Sequence, residues 1–152
     1  MMIEKDVAMQ FKEIHQRIAQ IMKQKVYEYG IKFGQLHLMM LIDMYPESNQ
    51  KEIAKEMRFT QGAMSTMVKR LISMKMVEQV PLESDMRYNR LILTEKGQSI
   101  IDDYKEDLYI KYRDMFKGFS EEELEELNRF LIKINNNLDS IYKSNNDKNL
   151  EE

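Results

Sequence analysis

Hydrophobic side chains recur every three or four residues along most of this chain, which is the spacing of helices with one buried face. The pattern predicts a first helix over 5–29, which Gly30 ends because glycine readily adopts a positive φ. Two shorter helices are predicted, one over 34–44 and one beginning at Asn49, whose side chain can cap it while Glu52 reaches back. The apolar stripe of the first helix has heptad-like spacing and consists of Val7, Phe11, Ile14, Ile18 and Ile21.

A fourth helix, beginning at Thr60, has one apolar and one polar face. Its apolar positions are Ala63, Met64, Met67, Val68 and Leu71. Its opposite face carries Gln61, Gly62, Ser65, Thr66, Lys69, Arg70 and Ser73. No acidic residue occurs between Arg58 and Glu78, although 32% of the chain is charged. An ordinary solvated helix face mixes both signs of charge, so this face is better suited to phosphates and base edges.

Two short runs with β-branched and aromatic residues follow, at 77–82 and 88–94. The polar segment 83–87 between them is too short for a helix, so the runs are predicted to form a hairpin. A helix-turn-helix followed by a hairpin with basic residues near its tip is typical of a winged helix. In that arrangement the helix enters a major groove of DNA while the hairpin reaches the adjacent backbone or minor groove.

Two long helices complete the pattern. Thr94 is predicted to cap one that runs to about Lys117, with Ile101, Tyr104, Leu108, Tyr112 and Met115 on one side. After the break at Gly118, Ser120 and Glu123 form a second capping box. The last helix has the strictest apolar repeat in the chain, made of Leu124, Leu127, Leu131, Ile134, Leu138 and Ile141. The polar segment 144–152 lacks such a repeat and is predicted to be frayed.

The hairpin region carries the residues of a family resemblance. An Asp-x-Arg pair (Asp85, Arg87) precedes a hydrophobic strand and the sequence Leu93-Thr94-x-x-Gly97. Together with Gly34-Gln35, Ile53-Ala54 and the segment 71–77, these residues resemble the MarR family of bacterial transcriptional regulators. The sequence differs from the family pattern at Lys75, where a helix-ending Gly is common, at Gln79, where Arg is frequent, and at Lys32, which replaces a capping Ser or Thr.

The resemblance implies a mainly α fold with a small β-hairpin wing. It implies one domain over 1–143, with dimerisation helices at 5–30 and 120–143, a winged helix-turn-helix at 34–97 and a connecting helix at 98–117. The two heptad-like end helices could instead cover the domain's own core. We prefer the interpretation in which they pair with a second copy of the chain. Such a dimer sets its two recognition helices, which are the two copies of the helix that begins at Thr60, about one DNA turn, or roughly 34 Å, apart.

Charge is unevenly distributed along the 152 residues, whose net charge is −3. Residues 1–48 are neutral, residues 49–97 carry +3, and residues 98–152 carry −6. The positive charge therefore coincides with the predicted DNA-binding segment. The absence of cysteine excludes disulfides, thiolate metal sites and thiol-based sensing. Neither a signal peptide nor an apolar run of about 20 residues is present, so the sequence predicts a cytoplasmic protein that does not enter membranes.

Each polar residue of the fourth helix and the wing has an expected role. Thr60, Gln61 and Ser65 are candidates to read base edges, and Gly62 and Ala63 allow close approach. Thr66, Lys69 and Arg70 are better placed for phosphates, although Arg70 could reach a guanine. Arg87 is expected to contact the minor groove or a phosphate, and Arg90 to support it at a phosphate. By resemblance, Asp85 orients Arg87 with a charge-assisted hydrogen bond and does not touch DNA.

Enzymatic and metal-dependent functions have little support in the sequence. The two histidines form no metalloprotease or triad motif, and the five scattered glycines form no phosphate loop. The fourteen methionines are better explained as core filler than as a metal cluster. By resemblance, a small aromatic or anionic effector would bind among the first, second and fifth helices, where the polar candidates are His15, Arg17, His37 and Tyr104. His37 is more readily interpreted as a structural histidine than as a ligand contact.

The sequence therefore predicts a homodimeric repressor that binds an inverted repeat in double-stranded DNA, responds to an effector, and needs no cofactor or metal. The alternative is a winged-helix dimer that acts as a protein-interaction module without specific DNA binding. The positive central segment and the Asp85/Arg87 pair favour the regulator.

Overall fold

The structure, a computed structural model, describes residues 2–81 and 89–149 and divides into two compact units, one up to Ile110 and one from Lys111 onward. Its elements are, in chain order, α1 (Met2–Glu28), α2 (Phe33–Met44), α3 (Gln50–Glu56), α4 (Gln61–Ser73), β1 (Val77–Pro81), β2 (Asn89–Leu93), α5 (Glu95–Met115) and α6 (Glu121–Asn149). The predicted class, mainly helical with a two-stranded hairpin, is confirmed.

The sequence signals for helix ends act as expected. Asn49 Oδ1 accepts a hydrogen bond from the Glu52 backbone N–H at 2.8 Å, and Ser120 Oγ accepts one from Glu123 at 3.1 Å. Gly30 ends α1 with a φ of +72°. Lys32 cannot accept a hydrogen bond through its ammonium group, so α2 begins differently: the Gln35 side chain accepts the Lys32 backbone N–H at 2.9 Å.

The core of the first unit is built from apolar side chains of α1 to α5 and both strands. It contains Met22, Val26, Leu36, Leu38, Met39, Ile42, Ile53, Ala54, Met64, Val68, Leu71, Met76, Val77, Leu91, Ile101, Tyr104 and Leu108. α3 packs against α4 and β2, while α4 also packs against β1. The recognition helix is therefore supported on its apolar side by both α3 and the hairpin.

Polar contacts at two carboxylates, Asp43 and Asp103, join α5 to earlier parts of this unit. The Asp103 carboxylate accepts a hydrogen bond from the Tyr29 hydroxyl and pairs with Lys25 at 2.8 Å. The half-buried Asp43 carboxylate pairs with the Lys105 ammonium group. Because Lys105 donates to it, the pKa of Asp43 lies below its ordinary value of 3.8.

A backbone joint connects the start of α5 to the turn 74–76 that precedes β1. The Thr94 backbone N–H donates to the Met76 carbonyl at 3.0 Å, and the Thr94 hydroxyl donates to the Lys75 carbonyl at 2.6 Å. A Cβ added to Gly97 would lie 2.1 Å from the Met76 carbonyl oxygen, which leaves room for glycine only. Lys75 itself has a φ of +60°, so it adopts the left-handed conformation for which the family commonly uses glycine.

The second unit contains the end of α5 and α6. Gly118, with a φ of +91°, separates the two helices, and the rings of Phe116 and Phe119 meet edge to face at 6.1 Å. α6 extends to Asn149 and so includes residues 144–149 of the segment that was predicted to be frayed.

Candidate nucleic-acid interface

The buried and exposed side chains of α4 are those that the sequence predicts, with one exception. Thr60 Oγ1 accepts the Ala63 backbone N–H at 3.2 Å, which caps the helix. Met64, Val68 and Leu71 are at most 1% exposed. Ala63, which was predicted to belong to this buried stripe, is exposed, because its position in the helix lies at the edge of the stripe formed by Met64, Val68 and Leu71.

The polar face of α4 is open to solvent. Its exposed members are Thr60, Gln61, Gly62, Thr66, Lys69, Arg70 and Ser73, and Ser65 is half-buried. Two hydroxyl groups satisfy backbone carbonyls within the helix: Thr66 donates to Gly62 at 3.1 Å, and Ser73 donates to Arg70 at 2.6 Å. Because no carboxylate lies on the helix, the face presents cationic and hydrogen-bonding groups only.

Gly62 has no internal packing role. A Cβ added there would meet no atom within 4 Å, and the residue does not have a positive φ. Glycine in an exposed helix costs about 0.5–1 kcal/mol relative to alanine. The protein's own structure therefore does not explain this glycine, whereas close approach of a partner would.

The hairpin lies next to α3 and α4. β1 and β2 pair antiparallel, with Val77 opposite Leu93 and Pro81 opposite Asn89. The predicted wing contacts Asp85 and Arg87 fall in 82–88 and lie outside the described residues, as do Leu82 and Tyr88 of the predicted strands. The third predicted wing residue, Arg90, is within the described part of β2, where its guanidinium lies 3.3 Å from the Glu47 carboxylate.

A surface groove of about 640 Å³ lies between the N-terminal ends of α3 and α4 and the base of the hairpin. Its lining is mainly polar and consists of Asn49, Gln50, Lys51, Ala54, Gln61, Met64, Ser65, Gln79 and Asn89. Of these residues, the sequence identified only Gln61 and Ser65 as binding candidates. The amides at 49, 50, 79 and 89 were missed because they come from three separate segments, and Asn49 was interpreted as a helix cap alone.

The effector candidates do not converge in the same way. His15, Arg17 and His37 are exposed, and Arg17 pairs with Glu13 one turn earlier at 2.7 Å. Tyr104 is 7% exposed and belongs to the core. None of the four lines the groove described above. An effector site at these residues remains a prediction.

Over residues 2–81 and 89–149, no group of three or more His, Asp or Glu side chains is placed to hold a metal ion. Within the same ranges, none of the helices combines the length and apolarity needed to cross a membrane.

The fold and the site define a winged helix-turn-helix protein. Residues 29–87 match the model of the MarR family. The Streptococcus pneumoniae FabT–DNA complex has a TM-score of 0.79 at 23% identity, covering 91% of this chain and 99% of that one. The Staphylococcus aureus MepR–DNA complex has a TM-score of 0.73 at 22% identity, covering 84% and 93%.

A third solved structure, Staphylococcus aureus MarR in complex with salicylate and kanamycin, has a TM-score of 0.80 at 17% identity and covers 90% of this chain and 93% of that one. These likenesses establish the fold. The match to the family model lies on the segment that contains α2 to β1, and together with the fold it confirms the resemblance seen in the sequence. The winged-helix segment of this chain is therefore similar to the MarR family, which is a family of transcription regulators.

Proposed function

We propose that this protein is a homodimeric, sequence-specific regulator that binds an inverted repeat in double-stranded DNA and represses transcription. One observation carries the proposal: α4 exposes a face without carboxylates directly beside a β-hairpin. Such a helix fits the major groove, because phosphates attract its cations and base edges accept or donate hydrogen bonds to its amide and hydroxyl groups.

The position of a residue along α4 determines whether it contacts bases or phosphates in the proposed complex. Thr60, Gln61 and Ser65 lie in the first turns, the part of a recognition helix that usually meets base edges. Lys69 and Arg70 lie two turns later, where the helix leaves the groove and a cation meets the phosphate backbone. Gly62 allows the DNA to approach the first turn closely.

Exposed apolar side chains support the homodimer. On α1, Val7, Phe11, Ile14 and Ile21 of the predicted stripe are 39–57% exposed, so the chain's own core does not cover them. On α6, Leu138 and Ile141 are 55% and 57% exposed. Solvent-exposed apolar stripes of this length mark protein interfaces, and pairing with a second copy of the chain in a two-fold dimer would bury each of them.

A two-fold dimer explains the other parts of the proposal. It presents two copies of α4 about one DNA turn apart, so the preferred target is an inverted repeat with half-site centres roughly 10 base pairs apart. Bound across a promoter, such a dimer excludes the polymerase and therefore represses.

The test combines oligomeric state with DNA selection. Light scattering after size exclusion should give twice the 18.3 kDa chain mass. Wild-type protein should select inverted repeats from a randomised duplex library, and the affinity for a selected duplex should fall steeply with salt. A monomer would contradict the proposal. A dimer that does not distinguish the selected duplex from a scrambled one would also contradict it and would favour the alternative, a protein-interaction module.

Two substitutions separate base reading from phosphate binding. Gln61→Ala should reduce the preference for the selected duplex more than it reduces affinity for scrambled DNA, because Gln61 contacts bases. Arg87→Ala, at the wing, should weaken binding to both duplexes and lower the salt slope by about one unit. Equal losses for Gln61→Ala on both duplexes, or an unchanged slope for Arg87→Ala, would remove these roles.

The proposal also includes a response to a small-molecule effector. The solved MarR structure with salicylate and kanamycin shows that a protein of this fold binds such compounds. For this chain we propose that a small aromatic or anionic effector binds near His15, Arg17, His37 and Tyr104 and shifts the dimer to a state with weaker DNA affinity. Phenolic acids should raise the melting temperature of the wild type more than that of His37→Ala. No shift with any compound would contradict an effector site there.

A further inference from the structure

The base of the hairpin is attached on both strands to the segment that begins α3. On β2, the Arg90 guanidinium lies 3.3 Å from the Glu47 carboxylate, and the backbone of Arg90 bridges to that of Asn49. On β1, the Gln79 amide donates to the Gln50 side-chain carbonyl at 2.7 Å. The two attachments are adjacent in the hairpin, because Gln79 pairs with Leu91, the residue after Arg90.

This arrangement changes what Arg90 can contribute to DNA binding. Its side chain is 31% exposed and is paired with a carboxylate that is itself 84% exposed. An arginine that is paired with an acid adds little net positive charge to a surface, so it releases few counterions when DNA binds. Lys69 and Arg70 differ in this respect, since both are exposed on a helix that has no acid.

The attachment also determines the geometry of the interface. α3 packs against α4, and Ile53 and Ala54 of α3 and Met64 of α4 are buried in the core that the two helices share. A hairpin fixed to the start of α3 is therefore also fixed relative to α4. The distance between the wing and the recognition helix decides whether both can reach one stretch of duplex at once.

We propose that the Glu47–Arg90 pair and the Gln50–Gln79 hydrogen bond form a clamp that sets the position of the wing relative to α4, and that Arg90 is a positioning residue and not a phosphate contact. The clamp rests on the proposed function, because its effect is measured in DNA binding. It replaces the phosphate role expected for Arg90 from the sequence.

The experiment is a double-mutant cycle on the duplex selected by the wild type. Arg90→Ala and Glu47→Gln should each weaken binding roughly two- to fivefold, the range expected for loss of a surface ion pair. The double variant should be no weaker than either single variant, because both changes break the same contact. The salt slope should stay at its wild-type value, and combining Glu47→Arg with Arg90→Glu should restore affinity.

Lys69→Ala is the matched control, since it removes a cation that has no acid on its helix and should lower the salt slope by about one unit. If Arg90→Ala lowers the slope as Lys69→Ala does while Glu47→Gln tightens binding, Arg90 is a phosphate contact and the clamp is refuted. Additive losses, or unchanged binding in all variants, also refute it. Melting temperatures of the variants separate loss of fold from loss of position. A wild type that selects no duplex refutes the proposed function instead.

Discussion

Replacing Gly62 with alanine should stabilise the protein and weaken its binding to DNA. The added Cβ meets no atom within 4 Å, and Gly62 has no positive φ, so the folded state accepts the methyl group without strain. Alanine has fewer unfolded conformations than glycine, and a compatible Gly→Ala change stabilises by about 0.4–1 kcal/mol. For a chain of this size that corresponds to a rise in melting temperature of roughly 1–4 °C.

The effect on DNA binding has the opposite sign. If DNA approaches the first turn of α4, the methyl group occupies space that the duplex needs. Excess volume at a packed contact costs about 1–3 kcal/mol, which is a factor of roughly 5 to 150 in the dissociation constant. Fluorescence anisotropy with the selected duplex and differential scanning fluorimetry measure the two effects on the same preparation.

Ser99→Ala is a suitable control because it also replaces an exposed helical residue with the best helix former, but on α5, outside the proposed DNA-binding face. It should raise the melting temperature without changing DNA affinity. A Gly62→Ala protein that melts below the wild type would refute the assignment of free space. One that binds DNA with wild-type affinity would refute close approach at this turn.

Three further predictions concern the fold itself. Gly97→Ala should destabilise by about 3 kcal/mol or more, as measured by urea denaturation, because its Cβ would overlap the Met76 carbonyl. Lys75→Gly should stabilise by up to about 1 kcal/mol in the same assay, because it relieves a left-handed conformation in a residue with a Cβ. Because the pKa of Asp43 is lowered by Lys105, their pair stabilises the fold above the ordinary pKa of 3.8 and stops doing so as the pH falls through the lower folded value. Lys105→Ala should therefore lower stability at neutral pH and flatten its decline in acid.

Each of these expectations has a contrary result. A Gly97→Ala protein of wild-type stability would mean that the joint at the start of α5 has space to spare. A Lys75→Gly protein that is less stable would show that the lysine side chain contributes more than its backbone conformation costs. Parallel acid denaturation curves for Lys105→Ala and the wild type would assign the acid dependence to other carboxylates.

The sequence predicted the features that depend on residues close together in the chain. Helix caps at Asn49 and Ser120 and the positive φ of Gly30 follow from local hydrogen bonds and steric freedom, and the structure contains all three. The buried stripe of α4 follows from helical periodicity. Ala63 was misplaced because it lies at the edge of the stripe, where periodicity alone does not tell whether a neighbouring element covers a side chain.

Contacts between distant residues could not be predicted in this way. Glu47 and Arg90 are 43 residues apart, and Gln50 and Gln79 are 29 apart, so no spacing rule relates them. Arg90 was therefore interpreted as a supporting phosphate contact of the wing. Only the antiparallel pairing of the strands, together with their packing on α3, brings each of these residues to its partner.

The glycine-only joint between α5 and the turn before β1 has a mechanical consequence. Gly97 is in direct contact with the backbone of Met76, and Thr94 is hydrogen-bonded across the same gap. The start of α5 therefore cannot shift relative to the turn before β1 without breaking these contacts. A tilt at the beginning of α5 must therefore carry the first residues of the hairpin with it, so the helix acts as a lever on the wing.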